Sequence, residues 1–244
     1  MLITSPKNEH IKELVKLKDK KGRDESGLFL VETKHLVIEA ARAGLIKELI
    51  LEKDEIFPLD VPTTTYVTKE VLKKLSSMES PSNVMAVVYK RKEETNYGEK
   101  ILILDRVQDP GNLGTIIRSA VAFNIDTIIC SNDTVDLYNP KVVRASQGMI
   151  FHIPVIVRDI KKVINELKSK DYKIIGTKVS CGADVRTSSI YSHFALIIGN
   201  EGQGVSKEIE DMCNEHLYIK MNGNCESLNA SVAASILMYE INNK

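Results

Sequence analysis

Five short, predominantly apolar runs constrain the fold of this chain more than any other feature: residues 101–104, 127–130, 155–157, 173–176 and 195–198. Each is too short for a buried helix, and each is separated from the next by helical or loop-like sequence such as Ile160 to Ser169. Strands that are apolar on both faces belong in the middle of a parallel sheet covered by helices. In such a sheet a ligand sits beyond the carboxyl ends of the strands, so the loops that follow these runs are where chemistry is expected.

The residues before them read differently. Residues 27–31, 48–52 and 83–89 are strand-like, the last with Val84, Ala86 and Val88 on one side. Helices are expected from Thr33 to Ala43, closed by Gly44, and from a Thr68 cap to Leu75. Alternating strands and helices imply a small α/β domain over residues 1–90. Residues 91–100 are polar and nearly free of apolar side chains, as a linker would be, and a second domain then occupies 101–244. At the start, Ser5-Pro6 is expected to open a helix with Lys12, Lys16 and Lys20 stacked at spacing four. Seven Lys or Arg stand against three acids over residues 1–23. A charge run is ordinarily a solvated face, but a local surplus of this size can contact phosphates, with Lys12, Lys16, Lys20 and Arg23 as the candidate residues.

Composition narrows the class further. Over the 244 residues, 33 Lys plus Arg balance 33 Asp plus Glu, so a polyanionic partner must be met by local clustering. Four scattered cysteines without a C-x-x-C pair, and five histidines at no ligand spacing to them, point to a reduced, cytoplasmic protein without a structural metal. No apolar h-region follows Met1 and no run approaches a membrane span, so a soluble, non-secreted chain is expected.

Three loops carry the polar residues that invite chemistry. In Leu104-Asp-Arg-Val-Gln-Asp-Pro-Gly-Asn-Leu-Gly-Thr-Ile-Ile-Arg118, Asn112 can cap a helix running to Phe123, and Gly114 lies one turn before Arg118. The run at 195–198 empties into Gly199-Asn-Glu-Gly-Gln-Gly204, which permits close backbone approach to a ligand. Last comes Ile219-Lys-Met-Asn-Gly-Asn-Cys-Glu-Ser-Leu-Asn229, followed by a helix that is small or apolar nearly all round, with Val232, Ile236 and Tyr239 at helical spacing and Ser227 as its candidate cap. A helix of that composition is buried on more than one side. Each loop alone also fits an ordinary structural turn. Neither glycine cluster matches G-x-G-x-x-G, which argues against a Rossmann-type oxidoreductase.

Taken together and in order, the loops resemble the SpoU (TrmH) class of RNA 2′-O-ribose methyltransferases in the SPOUT superfamily. The first motif is Asn112-Leu-Gly-Thr-Ile-Ile-Arg118, the second Gly199 to Gly204, the third Glu226-Ser-Leu-Asn229. The N-terminal stretch is similar to the ribosomal-protein-like RNA-binding domain that recruits substrate in many rRNA-directed members. The resemblance implies a parallel α/β domain with a C-terminal trefoil knot, a homodimer with its active sites at the subunit interface, and transfer of methyl from S-adenosylmethionine without a metal. It implies that Gly199, Ile219 and Leu228 hold the cofactor, with Thr177, Gly202 and Met221 beside them. Arg118 becomes the principal catalytic residue, with Asn112, Glu201, Ser227 and Asn229 shaping the site around it. A guanidinium stays protonated, so Arg118 is expected to bind phosphate and stabilise the developing alkoxide rather than act as a base. The implied substrate is 23S rRNA. A tRNA enzyme is the nearest alternative, disfavoured by the N-terminal domain; a non-catalytic RNA-binding or assembly protein of the same fold is disfavoured by the full motif set. The chain departs from the family at Thr33, Asn124 and Lys220, where Gly, Gly and Pro are common.

Overall fold

The structure, a computed structural model, describes residues 2–92, 96–189 and 191–242. The chain divides into two compact units, Met1–Lys92 with Asp136–His152, and Glu93–Val135 with Ile153–Lys244. The segment at 136–152 therefore belongs to the first unit, although the sequence suggests an unbroken second domain from 101. Part of the expected linker, residues 93–95, lies outside the described residues.

The first unit opens with β1 (Leu2–Ile3), α1 (Glu9–Lys16) and α2 (Lys20–Ser26). Helix α1 starts later than Ser5-Pro6 suggests, because the Asn8 side chain accepts the His10 N–H at 2.9 Å and caps it there. The chain breaks helix between Lys16 and Lys20, so Lys20 does not continue the Lys12–Lys16 row. Next come β2 (Leu28–Glu32), α3 (Lys34–Arg42), β3 (Ile46–Glu52), β4 (Thr64–Val67), α4 (Lys69–Leu75) and β5 (Val84–Tyr89). They form a five-stranded sheet of order β1-β4-β3-β5-β2, with β5 antiparallel to both its neighbours and the remaining pairs parallel. Val84, Ala86 and Val88 face one core with Phe29 and Val37, while Met85 and Val87 face another with Ile11, Leu14 and Leu72. Strand β5 is thus filled on both faces, as a central strand must be.

Thr33 is the cap of α3 and has a φ of +91°. A β-branched residue is strained there, which gives a physical reason for glycine at this position. Asn124, with φ of +54°, tolerates its left-handed turn.

The second unit contains β6 (Lys100–Leu104), α5 (Pro110–Ala122) and β7 (Thr127–Cys130). The chain then returns to the first unit as α6 (Pro140–Ala145), whose Val143 joins Ile150 and Phe151 in the Phe29 core. Tyr138 stacks near Phe29 with ring centroids 4.7 Å apart. Back in the second unit follow β8 (Val155–Val157), α7 (Ile160–Ser169), β9 (Lys173–Thr177), β10 (Ala183–Asp184), β11 (Phe194–Ile198), α8 (Lys207–Glu210), β12 (Glu215–Tyr218) and α9 (Ala230–Asn242). The seven strands run β10-β12-β9-β11-β6-β7-β8, every pair parallel. All five apolar runs are strands of this sheet. Ile160, Val163, Ile164 and Leu167 of α7 cover a face with Ile101, Ile103, Ile129 and Ile197. Helix α9 packs against α5, where the Ser119 and Ser235 hydroxyls are 2.7 Å apart.

Two helix starts differ from expectation for one reason, competition among neighbouring cap formers. Helix α5 is capped by Asp109, whose carboxylate accepts the Asn112 N–H at 2.8 Å with Pro110 in the first turn, so Asn112 lies inside the helix. Helix α9 is capped by Asn229, whose Oδ1 accepts the N–H groups of Ser231 at 2.9 Å and Val232 at 3.3 Å; Ser227 lies outside it. Of α9, Ala234, Leu237, Met238 and Ile241 are buried, whereas Val232 and Tyr239 are 46% and 52% exposed. The expected Val232–Ile236–Tyr239 row is therefore the outer side of the helix within this chain. Among the described residues no helix is long and apolar enough to cross a membrane, and all four cysteines are free.

Candidate active site

The carboxyl ends of β6 and β11 bring the first two motif loops together. Asn112 is buried in the first turn of α5, and its amide donates to Glu201 Oε1 at 2.9 Å. Its own Oδ1 accepts from Asn229 Nδ2 at 2.9 Å, which ties the third motif to the other two. Glu201 also accepts the backbone N–H of Asp109 at 3.2 Å and of Gln108 at 3.4 Å. Burial pushes its carboxyl up, but the bonds from Asn112 and the backbone N–H groups outweigh it and hold the carboxyl below its ordinary range. Asn112, Glu201 and Asn229 form one connected network, and Glu201 is kept ionised within it.

Arg118 is not part of that network. It is exposed on α5 and makes no hydrogen bond or ion pair among the described residues. Ser227 is likewise exposed, and its hydroxyl has no partner among the described residues.

Beside the network lies a cavity of about 430 Å³. Thr177, Gly199, Gly202, Ile219, Met221 and Leu228 all line it, as do Glu201 and Ser227. Gly199 is required by the loop itself, because a Cβ there would fall 2.0 Å from the Gly204 carbonyl carbon. The Asn200 side chain shapes the same loop, its Oδ1 accepting from Gly202 N–H at 2.9 Å and Gln203 N–H at 3.1 Å. Lys178 and Glu210, an ion pair at 3.3 Å, also line the cavity and were not anticipated. The strand-end rule could have found Lys178, which directly follows β9; Glu210 lies on the four-residue α8 and carries no signal in the sequence.

Of the candidate RNA-binding residues, all in the first unit, Arg23 requires correction. It is 4% exposed, donates to the carbonyls of Leu17 and Lys18, and pairs with Asp136 at 2.6 Å. Its guanidinium is buried, with Nη1 on the two carbonyls and Nη2 on Asp136, and is not available to a phosphate. Lys12 and Lys16 are exposed and pair with Glu9 at 2.6 Å and Glu13 at 2.7 Å, and Lys20 is exposed. Exposed pairs of this kind are weak enough to be exchanged for another anion.

A parallel sheet with a cofactor-sized cavity at its strand ends, flanked by the three joined motif loops, defines a methyltransferase of the SPOUT fold. Comparison with known proteins makes this particular. A model of the SpoU rRNA Methylase family matches residues 99–239, and a model of the MRM3-like substrate binding domain matches residues 8–86. The chain belongs to the SpoU rRNA methylase family. It is 37% identical over 243 residues, 98% of each chain, to the 23S rRNA (guanosine(2553)-2′-O)-methyltransferase RlmP of Bacillus subtilis. Among solved structures, the SpoU methyltransferase AviRb of Streptomyces viridochromogenes in complex with AdoMet superposes with a TM-score of 0.87 at 26% identity, covering 96% of this chain and 97% of that one. The AdoMet-bound rRNA methyltransferase of Sinorhizobium meliloti superposes with a TM-score of 0.87 at 28% identity, covering 99% of this chain and 97% of that one.

Proposed function

We propose that this chain transfers a methyl group from S-adenosylmethionine to a ribose 2′-hydroxyl of 23S rRNA. The observation that carries the reading is the convergence of all six expected cofactor residues on one cavity beside the Asn112–Glu201–Asn229 network. The rRNA target is supported by the similarity to RlmP, which spans both units.

The cavity suits the cofactor. Its volume falls within the roughly 300–1,000 Å³ of small-molecule sites, its Gly199 corner admits no Cβ, and Ile219, Met221 and Leu228 offer apolar contact. S-adenosylmethionine supplies an electrophilic methyl on a sulfonium. The chain supplies position and charge. Glu201, with its oxygens engaged by Asn112, Gln108 and Asp109, orders the motif loops and does not serve as proton acceptor. Arg118 has no protein partner to give up among the described residues, so its permanent positive charge is free for an RNA phosphate and the developing alkoxide. Ser227 orients the substrate from the cavity wall, and the 2′-hydroxyl proton leaves to an acceptor outside the Glu201 network.

Lys12, Lys16 and Lys20 recruit RNA through the first unit. The chain works in the cytoplasm as a homodimer, with the exposed Val232 and Tyr239 of α9 in the subunit contact and the motif loops threaded as the trefoil knot of the superfamily. The test is calorimetric titration of S-adenosylmethionine together with labelled-methyl transfer to purified 23S rRNA and to tRNA. The proposal predicts cofactor binding and label in 23S rRNA. Absence of both would overturn it, and label confined to tRNA would overturn the substrate.

A further inference from the structure

We propose that Arg106 is a positioning residue that holds the 200–205 loop in its cofactor-binding form, acting through Gln203. The proposal rests on the reading of the cavity as the S-adenosylmethionine site. Arg106 lies between β6 and the Asn112 motif and belongs to none of the three motifs. Its backbone has a φ of +61°, a conformation that side-chain-bearing residues other than Asn and Asp avoid. Two side chains hold it there. The Ser131 hydroxyl accepts the Arg106 N–H at 2.9 Å, and the Asn200 amide donates to the Arg106 carbonyl at 2.9 Å.

From this turned backbone the guanidinium spans two carriers. Nε donates to Asp105 Oδ1 at 3.2 Å, and Nη1 donates to Gln203 Oε1 at 2.8 Å, with the Gly204 carbonyl at the long distance of 3.5 Å from Nη2. Asp105 is itself buried, and its Oδ2 accepts the Ser206 N–H at 2.7 Å. Residues 105 and 106 therefore grip the loop at its start (Asn200), its tip (Gln203) and its exit (Ser206). Asn200 and Gly204 close the same loop on each other with two backbone bonds of 2.9 Å. Residues 200–205 all line the cavity, and Glu201 among them carries the link to Asn112. A loop ordered before the ligand arrives spares binding the cost of ordering it. Gln203 is exposed and has no core to fill, so its bond to Arg106 serves the loop's conformation.

The experiment is a double-mutant cycle on S-adenosylmethionine affinity: wild type, Arg106→Ala, Gln203→Ala, the double variant and Arg106→Lys, each also unfolded thermally without cofactor. Losing a charge-assisted hydrogen bond predicts affinity weaker by about tenfold for Arg106→Ala and about threefold for Gln203→Ala. The double variant should bind no more weakly than Arg106→Ala, because both changes remove one bond, and Arg106→Lys should recover part of the loss. Affinities equal to wild type, or losses that multiply independently, would overturn the proposal. Should Arg106→Ala fail to fold, the cycle is run with Arg106→Lys in its place and judged by the same non-multiplying losses, because Gln203 itself lines the cavity and its loss alone does not separate cofactor contact from loop order. A wild type that binds no S-adenosylmethionine would overturn the reading of the cavity, and this proposal with it; a wild type that binds, with variants that bind equally, would overturn this proposal alone.

Discussion

The polar residues of the three motif loops fall into two groups that differ in what they touch. Asn112, Glu201 and Asn229 hydrogen-bond to one another and to the backbone of the loops that carry them. The side chains of Arg118 and Ser227 bond to nothing among the described residues. Asn112 is buried and must be satisfied internally, and the exposed Glu201 and Asn229 satisfy it, so the first group is engaged in the fold before any substrate arrives. An exposed group without a protein partner can meet the transition state without first breaking a bond. On the proposed reading, the first group orders the loops and the second is the one that meets substrate.

Substitutions can break that assignment. Arg118→Ala should lower methyl transfer by about 100- to 1,000-fold, the range for removing one charge-stabilising donor. Its thermal midpoint should stay within about 2 °C of wild type, as for an exposed side chain. Activity and differential scanning calorimetry on the same preparation check both. Asn112→Ala should do the reverse in emphasis, costing about 2–3 kcal/mol of stability in urea unfolding, because Glu201 and Asn229 each lose a partner in a partly buried setting. An Asn112→Ala protein as stable as wild type would dissolve the distinction.

The first unit repeats the contrast with cations. Lys12, Lys16 and Lys20 are exposed, whereas Arg23 is buried against Asp136. Changing the three lysines to Glu should weaken rRNA binding about tenfold or more at low salt and leave S-adenosylmethionine affinity alone; filter binding at two salt concentrations measures it, and unchanged affinity returns those lysines to a solvated face. A smaller effect belongs to Thr33. Its φ of +91° suits glycine, so Thr33→Gly should raise stability by about 1 kcal/mol in urea unfolding.

The smallest effect concerns pH. The folded Glu201 carboxyl lies below its ordinary value of 4.5, so its stabilising contribution is complete above that value and is lost as pH falls through the folded value. Glu201→Gln should flatten the fall of the thermal midpoint between roughly pH 5 and pH 3. An unaltered acid limb would mean that Glu201 is not held ionised by the network.

Much of this architecture can be read in the chain before any coordinates. The runs at 101–104, 127–130, 155–157, 173–176 and 195–198 become strands because a segment apolar on both faces has few other places to go. The cavity residues are legible through family spacing, and the cavity gathers all six. Non-local pairing is what stays hidden. Arg23 reads as one more cation in a basic run until Asp136, 113 positions later, is brought beside it. Tyr138, Val143 and Phe151 are apolar in the same way whichever core they join, so nothing in their order announces that they leave the second unit. Strand β10 and helix α8 are two and four residues long, too short for periodicity to register. Asn229 and Ser227 are both cap formers, and packing decides between them.

The most direct test of the central claim is a map of ribose 2′-O-methylation across 23S rRNA from cells with and without this protein, with the missing mark restored in vitro by purified protein and S-adenosylmethionine. The account predicts one 2′-O-methyl group absent from 23S rRNA without the protein, restored by wild type and not by Arg118→Ala. An unchanged 23S map, or a difference confined to tRNA, would contradict it.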